Sequence, residues 1–168
     1  MTMASLMISA QTELRSALSL PEETKTIRIR ADGSPLHSTG QTFIAIHKGP
    51  NTTDGNRQAG TKVGRYDFQV TVSIRYPGKG AVSPDRDDVS IIGDSPKGIL
   101  ALVETCKTAL SGVPGGYAVI AGATTSNWVE PPICTDDGGS PSEQWPGWLS
   151  QTLSFTGALR DEPGTGVT

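Results

Sequence analysis

Two histidines, two cysteines and a short run of aspartates are the side chains in this 168-residue chain best suited to chemistry. His37 lies in a Ser/Thr/Gly-rich turn, and His47 ends the apolar run TFIAIHK. A metal centre needs three or four converging ligands, and no Cys-x-x-Cys, His-x-x-x-His or paired Asp/His spacing occurs. Both histidines therefore read as solvent-facing or strand-pairing groups and not as catalysts. Asp85, Asp87 and Asp88 have the oxygen donors a divalent ion takes, but their setting in a polar stretch reads as a solvated connector. The glycine-rich piece GPNTTDGNRQAG lacks the Lys-Ser/Thr of a phosphate loop and does not run from a strand into a helix. No enzymatic apparatus is legible, so the expectation is a non-enzyme without cofactor or metal.

The charged residues suggest contact chemistry instead. Arg28 and Arg30 lie on a predicted strand, with Arg57, Lys62 and Arg65 in or beside a polar loop. If the fold gathers them, they form one basic patch suited to an acidic protein partner or to passing DNA; the plainer reading is a solvated sheet face. A formal net charge of -3 supplies no global field to hold nucleic acid. Two cysteines, Cys106 and Cys134, cannot make a disulfide framework, and both read as reduced thiols in a cytosolic product. The opening MTMASLMISAQTELRSALS has no basic n-region and is interrupted by Gln11, Glu13 and Arg15, so it reads as neither signal peptide nor membrane span.

These residues must be positioned by elements that the periodicity locates. Arg65 to Tyr76, RYDFQVTVSIRY, places Tyr66, Phe68, Val70, Val72, Ile74 and Tyr76 on every second position with polar residues between. That predicts a long strand with one dry and one wet face, around which a sheet is organised. Leu149 to Arg160 repeats the pattern, with Gly157 on its apolar parity reading as a bulge or a close helix crossing. Shorter strands are expected at Thr26 to Ala31 and Thr42 to Lys48, paired as a hairpin. A buried strand is expected at Tyr117 to Ala123.

Helical spacing from Ala4 to Leu20 gives a first amphipathic helix, closed by Pro21. A second runs from Ser95 to Ser111, capped by Asp94-Ser95-Pro96, with Ile99, Val103, Cys106 and Leu110 on its apolar face. Charged residues make up 18% of the chain, and 20 Gly with 12 Pro mark long loops between these elements. Asn51 to Gly64 reads as a polar contact arm, Pro77 to Asp94 as a connector, and Thr124 to Trp148 as an irregular excursion. The excursion holds Trp128, Trp145 and Trp148, and its role divides between a lid over the domain's own core and a subunit contact. The expected fold is α+β: a mostly antiparallel sheet with two main helices on one face and long loops. It is read as a single domain over 1–168, with residues 161–168 a flexible tail.

The element order, the length and the runs TFIAIHKGP, RYDFQVTVSIRYP and LSQTLSFTGALRDE resemble those of the tail terminator, or tail completion, proteins of tailed bacteriophages. The resemblance covers about Leu6 to Asp161. It implies a structural virion protein that forms a homohexameric ring at the neck end of the tail, caps the tail tube, stops its polymerisation and offers a surface to the head. The implied partners are other copies of the chain, the tail tube protein and the head-tail connector or stopper protein. DNA would be met only as genome passing through the channel, with no membrane involved, and the host cytoplasm would be the site of assembly. The residues expected to carry inter-subunit or tube contacts are Asn51, Asp54, Arg57, Lys62, Arg28, Arg30, Asp87, Asp88, Trp128 and Trp145. The alternatives are another neck or head-tail connector protein of the same fold and, more remotely, a small α+β enzyme.

Overall fold

Alternating side chains on two long strands produce one broad sheet, and the two helices exist to cover one side of it. The computed structural model describes residues 3–19, 26–35, 42–49, 56–58, 61–76, 91–92, 98–111 and 128–160. Within these, α1 spans Met3–Ala17 and α2 spans Ile99–Leu110. The strands are β1 (Ile27–Ile29), β2 (Thr42–Lys48), β3 (Asn56–Gln58), β4 (Thr61–Arg75), β5 (Trp128–Asp136), β6 (Ser142–Trp145) and β7 (Trp148–Arg160). They form one seven-stranded sheet in the order β1-β2-β4-β7-β5, with β3 added to β4 and β6 added to β7. All pairs are antiparallel except β1 with β2. The predicted α+β architecture is therefore the observed one.

The spine is the β4–β7 pair, in register without interruption from Val63 opposite Arg160 to Arg75 opposite Trp148. Even-numbered positions of β4 and odd-numbered positions of β7 point to the helices: Phe68, Val70, Val72, Ile74, Leu149, Leu153 and Phe155 are all buried there. Phe68 and Phe155 stand opposite one another and stack, with ring centroids 5.1 Å apart and planes within 10°. Ile44 and Ile46 of β2 and Ile27 of β1 continue the layer, and Met7, Ala10 and Leu14 of α1 close it with Ile99, Leu102, Val103, Cys106 and Leu110 of α2. Full burial of each large apolar side chain stabilises the fold by roughly 1.5–3 kcal/mol. Burial also pushes the Cys106 thiol up to about 12, leaving it an inert core group.

Several expectations are corrected. β1 and β2 do not form a hairpin; they lie parallel, with Ile27 beside Ile44 and Ile29 beside Ile46. Twelve residues separate the strands, the length a parallel return needs. Helix α2 begins at Ile99, with Gly98 at its N-cap and no side-chain cap hydrogen bond, later than the predicted start at Ser95; Asp94-Ser95-Pro96 lies outside the described residues. Gly157 makes no bulge against β4. The irregularity falls on the other neighbour, where Glu130 stands opposite Ala158 and Ile133 opposite Thr156, so that β5 fits an extra residue around Pro131 and Pro132. The supposed excursion thus contains two strands, whose prolines and register shifts hide any period-two signal. Likewise Asn51 to Gly64 is not wholly loop: Asn56–Gln58 pairs with Thr61–Val63 as a hairpin, and the two strands are joined by Ala59 and Gly60. A hairpin beyond the covered sheet has no apolar side to advertise itself. The strand expected at Tyr117 to Ala123 and the tail at 161–168 lie outside the described residues.

Candidate functional site

The face of the sheet away from the helices is where the structure departs furthest from a solvated surface. Odd-numbered β4 positions meet even-numbered β7 positions there in four successive polar pairs. Thr156 Oγ1 donates to Asp67 Oδ1 at 2.8 Å, and Gln69 Nε2 donates to Ser154 Oγ at 3.0 Å. Thr71 and Thr152 share a hydroxyl hydrogen bond of 2.9 Å, and Ser73 and Ser150 one of 2.7 Å. The row ends with the Arg75 guanidinium 4.1 Å above the Trp148 ring, a cation–π contact. Thr71, Ser73 and Ser150 are buried at 2% exposure or less, so the predicted wet face is dry at its centre.

Two devices account for that burial. The first is a small second core of Phe43, Ala45 and Trp148, with Trp145 packed against it and the Arg30 guanidinium 6.0 Å from the Phe43 ring centroid. Trp145 reaches this position because β6 turns back into β7 through Pro146-Gly147, where Gly147 takes a φ of +80° and its N–H donates to Glu143 Oε1 at 3.2 Å. Trp145 and Trp148 therefore act as a lid over their own sheet. The second device is the Asp32–Pro35 segment, folded across β2 and β4. A Cβ at Gly33 would collide with Thr71 Oγ1 and lie 3.2 Å from His47 Nε2, so only glycine permits this approach. Asp32 holds the turn by accepting from the Ser34 hydroxyl and, at 3.0 Å, from the Ser34 N–H. The Ser34 hydroxyl hydrogen bond, followed by that of the Ser34 N–H, keeps the Asp32 carboxyl below its ordinary pKa.

His47 is thus a strand-pairing residue. Its Nε2 lies 3.0 Å from Thr71 Oγ1, and burial lowers its pKa, opposed by a hydrogen bond with the Lys48 backbone and by the charge of Asp32. At neutral pH the ring is uncharged and continues the hydroxyl row. Gly33 sits directly over Thr71, closing this hydroxyl to any incoming molecule. His37 lies outside the described residues, as do Asn51, Asp54, Asp85, Asp87 and Asp88. Among the described residues no group of three His, Cys, Asp or Glu side chains could hold a metal ion. A described groove of about 360 Å³ opens between the helices, lined by Glu13, Ala17, Glu104, Thr105, Thr108 and Ala109. It lies across the sheet from His47.

The basic residues do not form one patch. Arg28 lies on β1 and Arg30 directly after it, at one edge of the sheet, both half-exposed. Arg57 stands opposite Lys62 in the β3–β4 hairpin. His47, beside which Arg30 lies, is level with Gln69, seven residues along β4 from Lys62, or about 23 Å at the usual rise of a strand. Trp128 stands opposite Leu159 at the start of β5.

The two edges of the sheet were not singled out by the sequence. At the β1 edge, Gln11 Nε2 of α1 donates to the Ile27 carbonyl at 2.9 Å, and Arg15 reaches the same oxygen at 3.5 Å. Ile29, beyond their reach, is exposed. At the other edge, β5 and β6 run in the same direction along β7, separated by Asp137 to Pro141. Gln151 Nε2 donates to the Asp137 carbonyl at 2.7 Å, and Gly138, with φ of +77°, lies so close to Thr152 that a Cβ would strike its carbonyl oxygen. Asp136, Asp137 and Glu143 are all exposed on this edge, as is Ile133.

Searches with the sequence find no matching family model and no matching curated protein. The fold does have solved counterparts. A chain of the virion of a native gene transfer agent particle is similar with a TM-score of 0.50 and 12% sequence identity, over 92% of this chain and 94% of that one; at that identity the likeness is one of fold.

Proposed function

We propose that this chain is a structural virion protein of the tail terminator kind, working by shape and self-association with no bond made or broken. Copies of it close into a homohexameric ring on the tail tube, stop the tube growing, and offer the ring's other side to the head-tail connector. The observation that carries this reading is the end-to-end correspondence of fold with a virion chain, leaving almost no part of either chain unmatched. Two architectural features support it. The β3–β4 hairpin extends the spine strand past the end of β2, an arm available to the tube or to a neighbouring subunit. The hydroxyl face is tied down by its own side-chain hydrogen bonds, which suits a rigid scaffold. In this reading the protein has no cofactor or membrane partner, meets DNA only in transit, and is assembled in the host cytoplasm.

The test is to delete the gene from its particle-producing host and to image the particles made with and without it. The expected result is a single ring at the neck end of wild-type tails, and headless tails of uncontrolled length in the deletion. Tails of correct length that fail to join heads would move the protein one station toward the connector. Normal particles in its absence would overturn the reading. For the arm, Arg57→Glu with Lys62→Glu should reproduce the deletion while the protein stays folded.

A further inference from the structure

We propose that the Asp32–Pro35 turn is a proton-operated cover, which closes over the centre of the hydroxyl face while His47 is neutral and lifts when His47 takes up a proton. The inference goes beyond the terminator reading and does not depend on it. It rests on what the turn covers, on how lightly it is held, and on the charges that face the ring.

What it covers is a histidine on the dry part of the face. His47 is 8% exposed, and Gly33 is seated so closely that an added Cβ would lie 3.2 Å from Nε2 and collide with Thr71 Oγ1. Gly33 thus takes the place beside Nε2 that water would need. A proton on the ring would create a cation there, and burial disfavours the charged form of a side chain.

The turn is held lightly. Asp32 and Ser34 bond to each other, which shapes the turn without fastening it to the strands below. Among the described residues no backbone hydrogen bond joins residues 31–35 to β2 or β4, and the side-chain tie is local, Arg30 Nη2 donating to Ser34 Oγ at 3.2 Å. The remaining hold is the packing of Gly33 and Pro35, both buried. A segment with so few bonds to its neighbours opens locally, at less cost than global unfolding, while the ladder beneath stays paired.

Which way protons push the turn depends on the charges facing the ring. From the turn itself, Asp32 favours the protonated imidazole, but it is exposed, has an oxygen committed to Ser34 and makes no ion pair with the ring. Arg30, beside His47 at the sheet edge, adds a positive charge. On β4, Gln69 stands opposite and Thr71 Oγ1 meets Nε2 at 3.0 Å, both neutral, while Asp67, next along that face, accepts from Thr156. Beyond them β7 supplies the hydroxyls of Thr152 and Ser154. Lys48, opposite Phe68, belongs to the helix side. Burial outweighs the pull of Asp32, so the closed turn holds the ring's pKa below its ordinary value. With the turn lifted, water reaches the ring and the pKa returns toward about 6.5. The lifted form therefore binds the extra proton more readily, and opening is favoured as the pH falls through about 6.5 toward the closed-state value. Asp32, held below its ordinary value of about 3.9, stays ionised through this window.

Proton NMR of the full chain tests the coupling from both sides. A His37→Gln background leaves His47 as the one histidine. The ring is expected to titrate below about 6.5, and the nuclear Overhauser contact between the Gly33 α-protons and the ring, strong at neutral pH, should fade with the same midpoint. Because coupling is reciprocal, a turn that cannot close must release the ring. Gly33→Ala, whose methyl group strikes Thr71, should therefore raise the midpoint to about 6.5. Ser34→Ala, which cuts the tie to Arg30 without adding an atom, should raise it by a smaller amount and serves if Gly33→Ala fails to fold. A Gly33 contact that persists on the protonated ring would overturn the proposal. So would a midpoint that Ser34→Ala and any folded Gly33→Ala protein leave where it was.

Discussion

The two faces of the sheet are built from the same two strands and solve burial in opposite ways. Toward the helices, β4 and β7 present Phe68, Val70, Val72, Leu153 and Phe155 to a thick apolar layer supplied by α1 and α2. Away from them, the same strands present hydroxyls and amides that pair across the ladder beneath two small covers, the Phe43–Ala45–Trp148 cluster and the Asp32–Pro35 turn. Polar side chains on a strand mark a face that needs hydrogen-bond partners, and those partners can be other side chains as readily as water. A polar face is therefore not necessarily a wet one.

The sharpest way to probe this contrast is to remove one anchor from each side. Phe155→Ala empties a fully buried, stacked site in the main core and should destabilise the protein by about 4 kcal/mol in chemical denaturation. Trp148→Ala should cost about 3 kcal/mol, near the low end for such a truncation because its cluster is small. A loss for Trp148 below about 0.5 kcal/mol, the range of an ordinary surface position, would show that the second cover is not a core.

Smaller effects test the covers themselves. Gly33→Ala drives a methyl group into Thr71 and should destabilise by roughly 1–3 kcal/mol, with Thr71→Ala relieving part of the loss in the double variant. Ser73→Ala leaves the buried Ser150 hydroxyl without its partner and should cost roughly 1–2 kcal/mol, whereas Ser73→Ala with Ser150→Ala should cost less than the sum of the single changes.

The mildest probe is pH. The folded-state pKa of His47 is below its unfolded value, so the unfolded chain binds the extra proton more readily. The stability linked to this group is complete above the ordinary value of about 6.5 and declines as the pH falls through that value toward the folded pKa. His47→Asn should flatten that part of a stability-against-pH profile measured by denaturant titration.

Legibility in the sequence followed the degree of burial on one side only. The spine strand, the last strand and the apolar positions of both helices could be read because each has a covered face and an uncovered or polar one, which imposes a period of 2 or 3.6. β5 escaped notice because an edge strand with two prolines and register shifts carries no such period, and β3 because an arm beyond the core has no apolar face to reveal it. The basic residues were visible as types, but not their separation onto β1 and the β3–β4 hairpin. The acidic edge is assembled from Asp136, Asp137 and Glu143, which alignment along β7, not any motif, brings onto one side.

What the sequence by itself determined is which residues must leave water: the alternation in β4 and β7 and the helical stripes specify an α+β sheet with a helical cover, because apolar periodicity is a local property of the chain. Only the tertiary structure decided where the polar residues go. Whether Thr71 meets solvent or Gly33, and whether an arginine faces an aromatic ring or an open edge, depends on hydrogen bonds and close approaches between segments far apart in the chain, which local periodicity does not encode.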